Sequence, residues 1–396
     1  MPDHRLVTTA RCASYDPALV GEALDAVLGP LGGMSAFVKP GQRVFVKPNL
    51  LLKAEPGRAI TTHPEVLRAV LLAVKACDPA DVAVGDSPSG RQTAKTWQTL
   101  FDTCGLGAVC REEGARIVLL DEDVVHVENP RGERYAAFEL GREAVEADVL
   151  IDLCKFKTHG FQLFTGAVKN LFGLIPGLLK AQFHVRAPER EDFGGMLVDL
   201  MLARTPELSI MDAVVGLEGE GPGTGGTPKD IGALIASADP VALDVVAASI
   251  AGFEPLDVYT NNAAHRRGLG PASADEVDVV GVPWRELAPS TFEKPARSMK
   301  LPPWAQGILK RGLVPKPVLG QADRCSSCAT CRENCPVHAI EMVAPGGGGA
   351  RGKRPRFDYD ACIRCYCCQE MCPEHALTLR EPWLLRFFSK REQGRA

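Results

Sequence analysis

A large α/β domain with a mostly parallel sheet and crossover helices, followed by a small α+β domain rich in cysteine, is predicted by two patterns in the chain. The first is an alternation of short apolar runs, at 44–46, 82–84, 117–120, 149–153, 208–211, 231–235 and 277–280, with longer helix-like stretches. Runs of this length, rich in Val, Ile and Leu, read as strands buried on both faces, and the spacing between them leaves room for crossover helices. The second is the cysteine distribution: of 14 cysteines, nine fall between Cys325 and Cys372. Such density in a chain of 396 residues marks a separate small module that holds metal or carries redox chemistry.

The helix at 64–76 is expected because Pro64 suits a first helical position, and the helix at 240–251 because Asp239 is a natural N-cap ahead of Pro240. Proline and lysine rise after residue 288 while periodicity weakens, which sets the expected division: an α/β domain at 1–288, a linker at 289–318, the cysteine-rich domain at 319–381 and an amphipathic basic tail at 382–396. The tail is expected to pack on the protein's own domains, and the run Gly346 to Gly349 with the basic residues after it to form a solvated loop.

Composition narrows the function. Lys plus Arg number 45 and Asp plus Glu 49, a formal charge of -4, too balanced for a protein held to nucleic acid or a membrane by bulk electrostatics. No apolar run approaches the length of a membrane span and the start lacks a signal-peptide core, so the expectation is a cytoplasmic protein with no transmembrane segment and no nucleic-acid partner.

Cys325, Cys328, Cys331 and Cys335 precede Pro336, and Cys362, Cys365, Cys368 and Cys372 precede Pro373. Each set has the C-x2-C-x2-C-x3-C-P spacing of bacterial-type ferredoxins. A constant offset of 37 residues relates the two sets, and also His338 to His375 and Ala339 to Ala376, so the module is an internal duplication. Three closely spaced cysteines wrap one face of a cube, and the fourth reaches across to the other cube. The expected cofactors are therefore two [4Fe-4S] clusters, one on Cys325, Cys328, Cys331 and Cys372, the other on Cys362, Cys365, Cys368 and Cys335. Structural zinc is the alternative, but it normally takes paired C-x2-C knuckles and has no use for the third cysteine. Cys367 breaks the offset pattern and reads as a small buried filler. The cubes serve electron transfer or act as structural staples.

Ligands of open parallel sheets bind beyond the carboxyl ends of the strands. The residues there are Lys47-Pro48-Asn49, Asp86-Ser87-Pro88, Asp121, Lys155-Phe156-Lys157-Thr158-His159, Asp212 and Asp239. Lys155 and Lys157, two apart, are expected on one strand face with His159 next on that side. With Lys47 and Lys169-Asn170 they make a candidate anion pocket, and His184 is near enough in sequence to join it. The glycine-rich segment from Gly216 to Gly226 reads equally as a mobile loop or a backbone cradle for a ligand, and lacks the Gly-Lys-Ser/Thr ending of a P-loop. His63 is either a ligand or base, or part of a helix entry.

The phrases Val46-Lys47-Pro48-Asn49-Leu50, Thr61-Thr62-His63-Pro64, Gly85-Asp86-Ser87-Pro88, Lys155-Phe156-Lys157-Thr158-His159, Thr165-Gly166-Ala167-Val168-Lys169-Asn170-Leu171-Phe172-Gly173, Glu218-Gly219-Glu220-Gly221-Pro222 and Ser237-Ala238-Asp239-Pro240 resemble the family known as domain of unknown function 362. The resemblance spans about 44–252, with Glu220 standing where a small or amide residue is expected. Members are often fused to a two-cluster ferredoxin module, so the resemblance implies an iron-sulfur protein with a redox role and supplies no substrate.

Two functions follow at equal weight. In the first, a reductase or electron-transfer enzyme passes electrons to a small anionic substrate, or to a redox partner protein docked on the α/β domain. Lys47, Asn49, Lys169 and Asn170 then bind substrate, while His159, His184, Lys155, Lys157, Asp86 and Asp212 form the catalytic set. In the second, the chain is a non-catalytic ferredoxin-like adaptor. A cluster-based sensor or assembly factor is a third possibility.

Overall fold

The computed structural model describes residues 5–89, 93–295, 314–344 and 352–380. Most of the expected linker, the Gly346 to Gly349 run and the tail at 382–396 lie outside those residues.

Among the described residues the large domain is built on a nine-stranded mixed sheet. Its strands are β1 (Leu6–Arg11), β2 (Arg43–Pro48), β3 (Asp81–Asp86), β4 (Arg116–Leu119), β7 (Val149–His159), β8 (Leu163–Thr165), β9 (Leu208–Gly219), β10 (Gly226–Ser237) and β11 (Asp278–Gly281), in the order β11-β1-β10-β9-β7-β2-β3-β4 with β8 on β7. The block β9-β7-β2-β3-β4 is parallel throughout. β5 (Val124–Glu128) and β6 (Ala137–Gly141) form a separate hairpin. Every residue of β7 is buried, as expected of a central strand covered on both faces.

Local chemistry explains the crossovers. The helix Pro64–Lys75, between β2 and β3, buries Val66, Leu67, Val70, Leu71 and Val74 on one face. Its N-cap is His63, whose Nδ1 accepts the Glu65 N–H at 3.2 Å, so this histidine serves the helix entry. Asp239 caps Pro240–Ile250 by accepting the N–H groups of Val241 and Ala242. The expected strands 208–211 and 231–235 are the apolar ends of β9 and β10, two 12-residue strands that continue together as a long antiparallel hairpin.

The cysteine-rich module pairs β12 (Lys316–Leu319) with β15 (Leu377–Arg380) and β13 (Ile340–Val343) with β14 (Arg354–Phe357). Its duplication extends to the backbone. Ser327 and Arg364 (φ 63° and 61°), Ala329 and Tyr366 (64° and 64°), and His338 and His375 (52° and 52°) hold matching left-handed conformations 37 residues apart.

The module sits on the sheet through the second copy. Tyr366 is 1% exposed and joins the α/β apolar cluster that contains Phe161 and Phe193, while its hydroxyl donates to the Pro315 carbonyl at 3.1 Å. The glycine-rich loop joining β9 to β10 is the seat. Glu220 O accepts from Gln369 Nε2 at 3.4 Å, and Thr224 Oγ1 donates to Cys372 O at 3.0 Å. A Cβ on Gly223 would stand 2.5 Å from the Glu370 carbonyl oxygen, and one on Gly225 2.5 Å from Gln369 Nε2, so these two glycines permit the close approach.

Removing a buried aromatic side chain costs about 3–5 kcal/mol. Tyr366→Ala is expected to lose stability of that order and to loosen the module, seen by calorimetry and limited proteolysis near residue 314. An unchanged melting profile would show that this ring does not hold the module in place.

Candidate functional site

Two cavities, about 320 and 310 Å³ with the open space at their mouths, lie in the small module. The first is lined by Cys325, Cys328, Cys331 and Cys372, the second by Cys335, Cys362, Cys365 and Cys368, so the fourth cysteine of each run faces the cavity of the other. Apolar residues such as Met342, Ile340 and Phe357 complete the walls. Backbone N–H groups of Ala339 and Ala376 reach Cys335 and Cys372 Sγ at 3.2 and 3.3 Å, a pattern suited to thiolates carrying shared charge. Four thiols around an apolar cavity larger than a single ion fit a [4Fe-4S] cube in each. Cys328 is exposed, whereas Cys365 and Cys368 are buried. Cys367 is half-buried, and it faces a third cavity instead of either cage.

That third cavity, about 720 Å³ with its mouth, lies between the module and the carboxyl ends of the parallel strands. Lys47, Asn49, Asp86, Lys157, His159, Lys169, Asn170, Lys180 and His184 come from the α/β domain. Cys367, Glu370 and Met371 come from the module, and Pro222 from the glycine-rich loop. The segment carrying Cys365 and Cys368 thus forms one wall of the second cage and, through Cys367, part of the pocket.

The pocket floor is a hydrogen-bonded network. Lys47 Nζ pairs with Asp86 Oδ2 at 3.0 Å and reaches Asn170 Oδ1 at 3.3 Å. Asn49 Nδ2 donates to the same Asn170 oxygen at 2.8 Å and Asn49 Oδ1 accepts from Lys157 at 2.6 Å, while Asn170 Nδ2 donates to Asp152 Oδ1 at 2.6 Å. Asp86 also accepts the N–H groups of Leu50 and Ser87. Stranding one partner of such a buried pair costs about 3–5 kcal/mol, so Lys47 and Asp86 fix each other.

Desolvation governs titration here. It pushes Lys157 and Lys180 down to about 7, helped at Lys157 by the Lys169 charge, and it lowers Lys169 as well. Burial lowers His184 to about 3 and His159 well below the usual imidazole range, so both rings are neutral. His159 Nδ1 accepts from the N–H groups of Phe161 and Gln162 at 3.0 and 3.4 Å, which assigns its proton to Nε2. Burial also raises Asp152 to about 8 and Glu370 to about 7.

Lys155 and Asp212 are placed elsewhere. They pair at 2.7 Å, both fully buried, and share Tyr15, whose hydroxyl lies 2.9 Å from each. Tyr15 stacks on His63 at 3.5 Å, and Asp212 Oδ2 accepts the His63 N–H. The separation from Lys157 arises where the β7–β9 pairing slips: Lys155 stands opposite Asp212, but Lys157 stands opposite Leu217.

Comparison with known proteins bears on this arrangement. The model of the family described as "Domain of unknown function (DUF362)" matches residues 44–249, and that of the "4Fe-4S dicluster domain" matches residues 324–376. A thylakoid-associated protein of Synechocystis sp. is 37% identical over 297 residues, 73% of this chain and 87% of its own length. The chain belongs to the DUF362 family. Among solved structures, the lactate racemase apoprotein of Thermoanaerobacterium thermosaccharolyticum aligns at 19% identity and TM-score 0.35 over 53% of this chain, which spans about half (52%) of that protein. A Thermotoga maritima protein aligns at 13% and 0.36, over 64% of this chain and 59% of its own.

The fusion of a DUF362 domain to a dicluster ferredoxin domain, and with it the capacity for iron-sulfur electron transfer, is therefore a property of this chain. No helix among the described residues is long and apolar enough to cross a membrane.

Sequence reasoning missed Lys180, Glu370 and Met371. Lys180 stands one helical turn before His184, a spacing that would have paired them. For the module, the signal was divergence between the copies: Tyr366, Cys367, Gln369 and Met371 replace Ala329, Thr330, Arg332 and Asn334, and these four residues meet the DUF362 domain or its pocket.

Two outcomes test this geometry. Cys335→Ser is expected to disturb the cluster shared with Cys362, Cys365 and Cys368, and Cys372→Ser the other; electron paramagnetic resonance and iron analysis of each variant should show one intact cube. Lys157 binds its proton to about pH 7 when folded and to 10.5 when exposed, so between those values the unfolded chain holds more protons and this group makes stability rise with pH. Lys157→Met is expected to raise stability near pH 7 and to flatten the slope from about pH 7 to 10, measured by denaturant unfolding.

Proposed function

We propose that this protein is an iron-sulfur reductase that delivers electrons to a small anion bound in the basic pocket. The observation that carries the reading is the shared wall: Cys367, between Cys365 and Cys368 of the second cage, lines the same pocket as Lys157 and Lys169. Clusters bound in the two cages would supply single electrons with little reorganisation. In this reading a redox partner protein hands electrons in at the first cage, which the exposure of Cys328 supports, and the second cage, with Cys365 and Cys368 buried, faces the acceptor.

The chain's own residues supply the rest. Lys157 and Lys169 hold the anion, and His159 offers a neutral Nε2–H as a hydrogen-bond donor without adding charge. Proton supply falls to Lys157 and Lys180, the pocket ammoniums that titrate near neutrality. A two-electron, two-proton reduction of the acceptor would take one proton from each of these lysines, which solvent replaces, and clusters held by the two cysteine sets would supply one electron each. The Lys47–Asp86 pair and Asn170 keep Lys157 and Asn49 aimed at the cavity.

The test is anaerobic stopped-flow oxidation of dithionite-reduced holoprotein by a panel of small anions. At least one is expected to bleach the reduced clusters in a saturable manner, with Lys169→Met slowing that step by about tenfold or more while iron content is unchanged. Oxidation by partner proteins alone, at the same rate in the variant, would favour the adaptor reading and refute a reductase.

A further inference from the structure

The pocket's charge pattern narrows the ligand. Of its four lysines, only Lys47 has a carboxylate as hydrogen-bond partner. Lys157 donates to neutral oxygens, Asn49 Oδ1 and Ile60 O, and Lys180 to the Ser87 carbonyl. Among the described residues Lys169 has no hydrogen-bond or ion-pair partner, and its ammonium stands 4.6 Å from the centre of the Phe172 ring. The Lys180 ammonium stands 5.6 Å from the centre of the same ring, and both lysines line the one cavity.

Three ammoniums without a paired carboxylate thus face a lining in which Glu370 is the one remaining acid. Asp86 and, less strongly, Asp121, which is held by Ser87 and the Gly177 N–H, offset part of the Lys180 charge. His184 adds an independent sign of a ligand: it is 7% exposed, lines the pocket, and its Nδ1 has no hydrogen-bond partner. Buried polar atoms and like charges left in this state are costly; a ligand with several acceptor oxygens relieves the charges, and relieves His184 in the tautomer that carries its proton on Nδ1.

We infer that the pocket takes a small dianion, with Lys169 as its central ligand and Lys157 and Lys180 flanking it. This deepens the reductase reading and rests on it for the identity of the pocket as the acceptor site. Glu370 already offsets one of the three ammonium charges, since it attracts both Lys157 and Lys169, and a single negative charge on the ligand would leave another unmet. Two charges, on one tetrahedral head or on two carboxylates a few bonds apart, match the pair. Phe172, Leu50, Leu51 and Met371 give the body of such a molecule an apolar wall.

The test uses oxidised holoprotein, without turnover, and isothermal titration at matched ionic strength with sulfate, malonate, formate and nitrate as probes. Sulfate or malonate is expected to bind one site at least about tenfold more tightly than either monoanion. Preference for sulfate assigns a single-headed dianion, and preference for malonate a dicarboxylate. Lys169→Met is expected to weaken dianion binding by about tenfold or more while raising the melting temperature of the ligand-free protein, a combination that loss of folding does not produce. Lys157→Met provides the second variant, and Lys75→Met, on the far helix, the control.

Equal affinity for monoanions, no dianion binding, or undiminished binding in both Lys169→Met and Lys157→Met overturns the inference. If dianions bind as described yet no reducible dianion draws electrons from reduced protein, the reductase reading fails and the ligand class stands. If clusters are oxidised only by monoanions, the reductase reading survives and the ligand class fails.

Discussion

The buried ion pair between Lys47 and Asp86 is the constraint on which the rest of the site depends. It ties the carboxyl ends of two neighbouring parallel strands, β2 and β3, at a point with almost no access to water. Each partner is then committed further: Asp86 accepts two backbone N–H groups that set the turns after the strands, and Lys47 holds Asn170. Through Asn170 and Asn49 the order passes to Lys157 on β7. Three strand ends and the short helix Ala167–Asn170 are thereby fixed by one polar network, and a network so desolvated admits few alternative arrangements.

The small module makes that desolvation possible. Strand ends of open α/β sheets ordinarily face solvent, and lysines there remain fully hydrated. Here a second body rests on the hairpin loop and plants Tyr366 in the core, so the lysines look into a partly enclosed space whose dielectric is below that of water. The same contact brings a cysteine cage against that space. Enclosure and proximity to the cage come from that one docking event, while the lysines come from the α/β domain.

Legibility followed range. The cage ligands were readable because their spacing is local and repeated, and the exchange of the fourth cysteine follows from that spacing. Lys47, Asn49 and Lys157 were readable as polar residues closing apolar runs, and Asn170 as their neighbour on the following amphipathic segment. β1 was hidden because its sequence, Leu-Val-Thr-Thr-Ala-Arg, buries two threonines whose hydroxyls find the carbonyls of Val27 and Val282, a satisfaction that only the fold reveals. Lys155 and Lys157 read as one pair, but a register slip against β9 and a tyrosine 140 residues away separate their fates. The residues that face Lys169 and His159 across the pocket, Cys367, Glu370 and Met371, lie about 200 residues downstream, beyond any local pattern.

The unlike residues of the duplicated module have a wider consequence. Duplication yields two interchangeable cages, and interchangeable cages confer no sense of inside and outside. Replacing Ala329, Thr330 and Arg332 by Tyr366, Cys367 and Gln369 at equivalent places leaves the cysteine sets alike but gives one cage a protein neighbour and the other an open face. Polarity along the pair is therefore written in what surrounds the cages, by a few substitutions that never touched the metal-binding alphabet itself.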